Sequence, residues 1–167
     1  MSAPQWLKFA ESYIGLRETR GVKHTSKIVA FWQRLRIGVA DDETPWCAAF
    51  VGAMLEDAGH KSTRSGWALS YAKYGWPVAY PAVGAIAYMQ RKNSAGKVIG
   101  GHVGFVVGER ADGSIMLLGG NQGDRVSVAP FSKARIMGYR WPTSRIPQRA
   151  PLPIYSKDNA PLSWNEA

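Results

Sequence analysis

The chain has 167 residues, of which 46% are hydrophobic, and its 21 Lys and Arg outnumber its 12 Asp and Glu. This length fits a single domain, and the apolar share is enough to build a core, so a wholly disordered chain is excluded. The single cysteine excludes an internal disulfide framework and any multi-cysteine zinc site. No apolar run reaches the roughly 18 residues that a membrane span needs, so none is expected.

The formal net charge is +9. Such a surface either serves solubility alone or attracts polyanions, namely nucleic acid, anionic lipid or the acidic polymers of a bacterial envelope. The basic residues are scattered, and neither a zinc-finger spacing nor an aromatic-glycine RNA motif occurs. We therefore expect no specific nucleic-acid partner, whereas electrostatic contact with an anionic envelope fits the charge.

The first half of the chain predicts helices, because apolar residues recur at helical spacing and glycines follow the segments. The predicted helices span 2–14, 26–37, 45–58 and, as a short fourth, 66–74. Ser2 with Gln5 predicts a capping box for the first helix, Thr25 a cap for the second and Thr44 a cap for the third. Ile14 is expected on the buried face of the first helix.

After residue 81 the pattern changes to short apolar or alternating runs separated by turn residues. The predicted strands span 83–90, 102–109, 114–119, 125–129 and 135–141. Helices first and strands second predict an α+β domain in which N-terminal helices pack on a C-terminal antiparallel β-sheet.

The composition changes again near residue 142. Five of the ten prolines fall in the last 26 residues, which contain no glycine. We expect a domain over residues 1–142, a Pro-rich extended tail over residues 143–167, and a monomer. The N-terminus has neither a basic start nor a long apolar stretch, so no secretory signal is expected and synthesis is expected in the cytoplasm.

Cys47 is the first candidate for chemistry, about three residues inside the predicted third helix that Pro45 would open. Near a helix N-terminus the dipole favours the nucleophilic thiolate, and backbone N–H groups of the first turn can stabilise an oxyanion. Cysteine is also among the most buried residue types, so a small core residue is the alternative. Trp46 beside it either lines a substrate groove or fills the core.

A catalytic cysteine needs a base, and His102 fits best among the three histidines. His24 lies between two predicted helices, and His60 follows a helix stop. His102 instead follows Gly100 and Gly101 and opens a predicted strand. Glycine neighbours leave room for another chain or a substrate to approach the imidazole.

The hairpin after His102 is predicted to turn at residues 111–113, so paired residue numbers sum to about 223–225. His102 then faces Asn121, Gln122 or Gly123. An amide there accepts from one ring nitrogen and leaves the other aimed at a thiol. Pairing does not choose between Asn121 and Gln122, and this glycine-rich segment is also typical of a simple turn.

Three stretches together resemble the CHAP family of cysteine, histidine-dependent amidohydrolases and peptidases, and most closely its single-domain branch in phages and prophages. They are WCAAFV at 46–51, GHVGFVV at 101–107 and LGGNQG at 118–123. The resemblance implies a papain-like fold with Cys47 as nucleophile, His102 as general base and Asn121 as the orienting residue.

Two features of the family are not matched. Many members carry a glutamate two residues before the asparagine, where this chain has Gly119, so a four-residue site is not implied. Some relatives bind calcium ahead of the cysteine. Asp41, Asp42 and Glu43 lack the alternate-residue spacing of a calcium loop, so no metal and no cofactor is expected.

The resemblance also implies the substrate, which is peptidoglycan, and the reaction, which is cleavage of an amide bond in or next to the stem peptide. Trp46 and Gln122 are the candidate substrate-binding residues. The main expectation is a phage endolysin that is made in the host cytoplasm and acts on the cell wall after release. The alternatives are a secreted antibacterial amidase effector and a non-catalytic basic module that binds cell wall or nucleic acid.

Overall fold

The computed structural model describes residues 2–19, 25–38 and 45–155. Three α-helices come first, and a 3-10 helix follows them: α1 (Gln5–Glu11), α2 (Ser26–Arg34), α3 (Cys47–Asp57) and the 3-10 helix Ala68–Lys73. The described residues then form six strands: β1 (Trp76–Val78), β2 (Ile86–Lys92), β3 (Val98–Glu109), β4 (Ile115–Gly119), β5 (Ser127–Phe131) and β6 (Ile136–Trp141). The predicted α+β fold, with helices before the sheet, is confirmed.

The strands form one sheet in the order β1-β6-β2-β3-β4-β5, and neighbouring strands are antiparallel. In the β3–β4 hairpin, Phe105 pairs with Leu118 and Glu109 pairs with Ile115, so the paired numbers sum to 223 and 224. The register predicted from the turn position is therefore confirmed.

The helices are shorter than predicted. α1 has Pro4 as its N-cap and no side-chain cap, so Ser2 does not form the expected capping box. Ile14 lies beyond the end of α1 and is 51% exposed instead of buried. α2 ends at Arg34 because Arg36 takes a left-handed φ of 59°, a conformation that stops a helix.

Two differences concern the strands. β1 was not predicted, since it is short and contains Pro77, but it lies at the edge of the sheet, where proline is tolerated. β3 begins at Val98 instead of His102, directly after the turn at Asn93, whose Oδ1 accepts a hydrogen bond of 3.0 Å from the N–H of Lys97. His102 therefore lies within a strand and does not open one.

The core lies between α3 and the sheet. All residues of α3 from Cys47 to Leu55 are buried. Phe50 of α3 packs edge-to-face on Phe31 of α2, with ring centroids 5.4 Å apart, and on Phe105 of β3 at 6.5 Å. In the described part of the chain, no helix has the length and apolar character needed to cross a membrane.

Residues 147–155, which we call the C-terminal strap, lie against the domain. The N–H of Glu109 donates to the carbonyl of Pro153 at 2.9 Å, and the N–H of Tyr155 donates to the carbonyl of Glu109 at 2.8 Å. Leu152 of the strap is buried. Two cavities of about 330 and 350 Å³ lie where the strap meets the domain. The first part of the predicted tail is thus bound to the edge of the fold.

Candidate functional site

Cys47 is the first residue of α3, and Trp46 is its N-cap. The helix starts there because the N–H of Phe50 donates to the carbonyl of Trp46 at 2.9 Å. The predicted start at Pro45 is therefore wrong, and the predicted cap, Thr44, lies outside the described residues. Cys47 is 3% exposed and belongs to the first turn, whose N–H groups carry the positive end of the helix dipole.

His102 lies within β3, and its side chain is fully buried. Its Nε2 lies 2.9 Å from Oε1 of Gln122. The nitrogen of that amide donates to the carbonyl of Leu117 at 3.1 Å and to the carbonyl of Ser127 at 2.8 Å. Because Gln122 offers only its oxygen to the ring, Nε2 of His102 carries the proton and Nδ1 holds the lone pair.

The surroundings keep His102 neutral. Its ring stacks on Phe131, with centroids 5.3 Å apart and an interplanar angle of 18°. Burial lowers the pKa of His102 to about 4; the hydrogen bond to Gln122 opposes this shift, and the positive charges of Arg135 and Arg91 add to it. Nδ1 is buried and has no hydrogen-bond partner among the described residues. A neutral imidazole with an unused lone pair is the state that a general base requires.

The turn that follows β4 packs on the first turn of α3. A Cβ added at Gly120 would lie 2.7 Å from Cβ of Phe50 and 2.7 Å from Cε3 of Trp46. These distances are too short for a side chain, so glycine at this position allows the two segments to approach. Gln122 follows Gly120 by two residues. The segment that carries the imidazole-binding amide therefore packs directly against the start of α3, the helix that carries Cys47.

Gln122 occupies the space that a side chain at residue 119 would need. A Cβ added at Gly119 would lie 2.3 Å from Oε1 of Gln122 and 3.4 Å from Nε2 of His102. The glutamate that many CHAP members carry at this place therefore does not fit while Gln122 is in its present position. In this chain the group that contacts the imidazole comes from residue 122.

Asn121 does not make the contact that the resemblance implies for it. It is 1% exposed, and its Oδ1 is buried with no hydrogen-bond partner among the described residues. Its φ of 59° lies in the left-handed region, which asparagine tolerates. A left-handed residue interrupts the alternation of a strand, and the following side chain, Gln122, is the one that reaches His102. The structure therefore assigns the imidazole contact to the second of the two amides that the hairpin register left open.

The two candidate substrate-binding residues are both inside the fold. Trp46 is fully buried, its Nε1 donates to Oε2 of Glu18 at 3.0 Å, and its ring lies 6.3 Å from that of Phe31. Gln122 is 3% exposed, and both ends of its amide are hydrogen-bonded within the protein. Trp46 thus lies in the core, as the alternative interpretation expected, and Gln122 lies against His102; a role of either side chain in substrate binding stays a prediction.

The remaining candidates lie elsewhere. His60 packs edge-on against Trp6, with centroids 5.2 Å apart. His24 and the acidic residues at 41–43, whose calcium spacing the sequence does not match, lie outside the described residues. Within the described ranges, no group of three or more His, Cys, Asp or Glu side chains is arranged to hold a metal ion.

The helix with a cysteine at its first residue and the strand with an amide-held histidine are features of a cysteine- and histidine-dependent class of hydrolases. Residues 39–121 match the family model of the CHAP domain. The chain belongs to the CHAP family. The matched range contains Cys47, His102 and Asn121, and it ends one residue before Gln122. A search of curated proteins found no match. Family membership supports a peptidoglycan hydrolase of the amidohydrolase or peptidase kind.

Proposed function

We propose that this chain cleaves an amide bond of the peptidoglycan stem peptide by nucleophilic catalysis, with Cys47 as nucleophile and His102 as general base. The observation that carries the proposal is the hydrogen bond between His102 and Gln122. It leaves the lone pair of Nδ1 in a neutral, buried ring with no other partner among the described residues. Gln122 takes the role of the orienting residue, which the resemblance gave to Asn121.

The reaction is an acyl transfer in two stages. The thiol of Cys47 gives its proton to Nδ1 of His102, and the sulfur forms a bond to the amide carbonyl carbon. The N–H groups at the start of α3 are suited to the oxyanion that forms. The C–N bond then breaks as His102 returns the proton to the leaving amine, and water hydrolyses the thioester with His102 again as base.

The bond that is cut belongs to one of two types, the muramoyl–alanine amide or a peptide bond further along the stem. Mass spectrometry of fragments from digested sacculi separates them. A new free alanine amine on an intact stem identifies an amidase, and a shortened stem identifies a peptidase.

We further propose that the physiological role is that of a phage endolysin. The similarity of its three motifs to the single-domain phage and prophage branch of the family supports this role. Expression directed to the bacterial periplasm should lyse cells, whereas the same chain held in the cytoplasm should not. Rescue of periplasmic expression by a protein encoded next to it would point instead to an antibacterial effector.

The central test uses the fact that the chain has one cysteine. Cys47→Ala should abolish release of soluble fragments from purified sacculi while leaving the circular dichroism spectrum and the melting temperature close to those of the parent. Alkylation by iodoacetamide should inactivate the parent in step with labelling of this thiol. Full activity of Cys47→Ala would end the proposal. Retention on sacculi without any fragment release by the parent would instead favour a non-catalytic binding module.

A further inference from the structure

Arg91 is a cation on the same face of the sheet as His102. On the paired strands β2 and β3, Met89 lies opposite His102 and Arg91 lies opposite Gly100. Directly paired residues project to the same face of an antiparallel sheet, and so do residues two apart along one strand. Arg91 is therefore a diagonal neighbour of the candidate base, at about 7–8 Å between Cα positions.

Glycine opposite this arginine leaves space for its head group. Nη2 of Arg91 lies 3.6 Å from the position that a Cβ on Gly100 would take, and Nε lies 3.7 Å from it. The guanidinium thus lies over the backbone of β3, two residues along the strand from the imidazole. The planar guanidinium of Arg91 therefore lies on the face of the sheet that carries His102.

Arg91 carries a buried donor that the described residues leave without a partner. Its Nε is buried without a hydrogen-bond acceptor among the described residues. Three other arginines of the described chain form ion pairs: Arg34 with Asp57, Arg64 with Glu56 and Arg110 with Asp112. A buried donor without an acceptor costs free energy, so a group that supplies an acceptor at this place is favoured.

We infer that Arg91 binds a carboxylate of the substrate next to the amide bond that is cleaved. This inference rests on the proposed function, because it places the acidic stem peptide against the face of the sheet that carries His102. A guanidinium matches a carboxylate with two parallel hydrogen bonds, which gives both affinity and orientation. The substrate class is therefore an acidic peptide whose carboxylate is free, in preference to one whose carboxylate is amidated.

The test compares synthetic stem peptides that are identical except that each carboxylate in turn is replaced by a carboxamide. For the parent protein, one of these replacements should lower kcat/KM by roughly ten- to a hundredfold, the worth of a charge-assisted hydrogen bond. Arg91→Gln should lose this preference and treat both peptides alike, and Arg91→Lys should keep part of it. Arg145→Gln, which removes the same charge from an exposed position, is the matched control and should retain the preference.

A binding measurement separates this inference from the proposed function. Calorimetry with full-length Cys47→Ala should show the same preference for the free carboxylate in Kd, and adding Arg91→Gln should remove it. If no peptide is cleaved by the parent but this preference in binding persists, the proposed function fails, whereas recognition of a peptide carboxylate by Arg91 stands. Equal affinity of Cys47→Ala for every peptide, or a preference that survives Arg91→Gln, overturns the inference.

Discussion

Gln122 accepts a hydrogen bond of 2.9 Å from Nε2 of His102, while its own nitrogen is held by the carbonyls of Leu117 and Ser127. Those two carbonyls accept hydrogen bonds, so the amide cannot turn its nitrogen toward the ring without losing both of them. The main chain of β4 and β5 thereby decides which nitrogen of the imidazole carries the proton. The support for the candidate base therefore extends over three neighbouring strands, β3, β4 and β5.

Removing this amide should disable the base. Gln122→Ala leaves Nε2–H of His102 and two main-chain carbonyls without their partners, at a cost of about 1–3 kcal/mol for each group that stays dry. We expect a lower free energy of unfolding and a loss of sacculus-degrading activity of roughly a hundredfold or more. Urea unfolding and the rate of fragment release measure the two effects. Gln33→Ala, on the exposed side of α2, is the control and should change neither.

The two neighbouring amides should differ sharply. Asn121→Gly removes the side-chain amide but keeps a residue that adopts a positive φ without strain. Because Oδ1 of Asn121 has no hydrogen-bond partner among the described residues, we expect Asn121→Gly to keep most of the activity that Gln122→Ala loses. Parallel measurement of fragment release by both variants checks this. The reverse order of activities would return the orienting role to Asn121.

A methyl group at residue 119 should act through Gln122. The Cβ of Gly119→Ala would lie 2.3 Å from Oε1 of Gln122, which is held at its other end and has little freedom to move. We expect Gly119→Ala to lower activity by at least about tenfold, because a small misplacement of a catalytic group has large effects. Gly38→Ala is the matched control, since no atom lies within 4 Å of its added Cβ. Equal rates for the two variants would contradict this account of the site.

Acid should destabilise the fold through His102. The folded-state pKa is about 4, below the ordinary value of 6.5 that the unfolded chain recovers. The unfolded chain therefore binds more protons between these values, and the free energy of unfolding falls as the pH drops from about 6.5 to about 4. The full effect of this one group is about 3 kcal/mol. Urea unfolding of the parent and of His102→Gln at pH 7 and pH 4.5 measures it, and the pH dependence should be weaker in the variant.

The C-terminal strap should contribute to stability. A chain that ends at residue 142 loses the two hydrogen bonds at Glu109, the burial of Leu152 and the hydrogen bond of 2.6 Å from the Tyr80 hydroxyl to the carbonyl of Pro147. We expect a loss of about 3 kcal/mol and a lower melting temperature. A chain that ends at residue 155 keeps the strap and serves as the control. Indistinguishable melting curves for the two truncations would show that the strap contributes nothing.

The order of helices and strands and the register of one hairpin could be predicted because they depend on residues that are close together in the sequence. The α+β order followed from the change from helical spacing to short strands, and the β3–β4 register followed from one turn. The ends of α1 and α2 did not follow, since they depend on the backbone conformations of Pro4 and Arg36. β1 is held by its pairing with β6, which lies far away in the sequence.

The residues of the candidate site also fall into two groups, those that local sequence predicted and those that it did not. Cys47 and His102 were predicted from residue types and their local neighbours, and the register narrowed the orienting amide to two adjacent residues. Choosing Gln122 required the left-handed turn at Asn121, which no periodicity indicates. Phe131 was not predicted to lie near the imidazole because it comes from β5, which lies two strands away from β3 in the sheet. Arg91 was not predicted there because the register of β2 with β3, which is irregular at Arg91 and Lys92, does not follow from the turn alone.

The oxygen that contacts the imidazole of His102 comes from residue 122 and not from residue 119. The same chemical group can therefore be supplied from a different sequence position. Glycine at position 119, where many CHAP members carry a glutamate, would by itself suggest that the imidazole lacks a hydrogen-bond acceptor. Here the oxygen comes from Gln122, three residues further along the chain, whose side chain occupies the space beside Gly119. Other sequences with glycine at this position and a carboxylate or carboxamide side chain three residues later are therefore expected to keep a hydrogen-bonded imidazole.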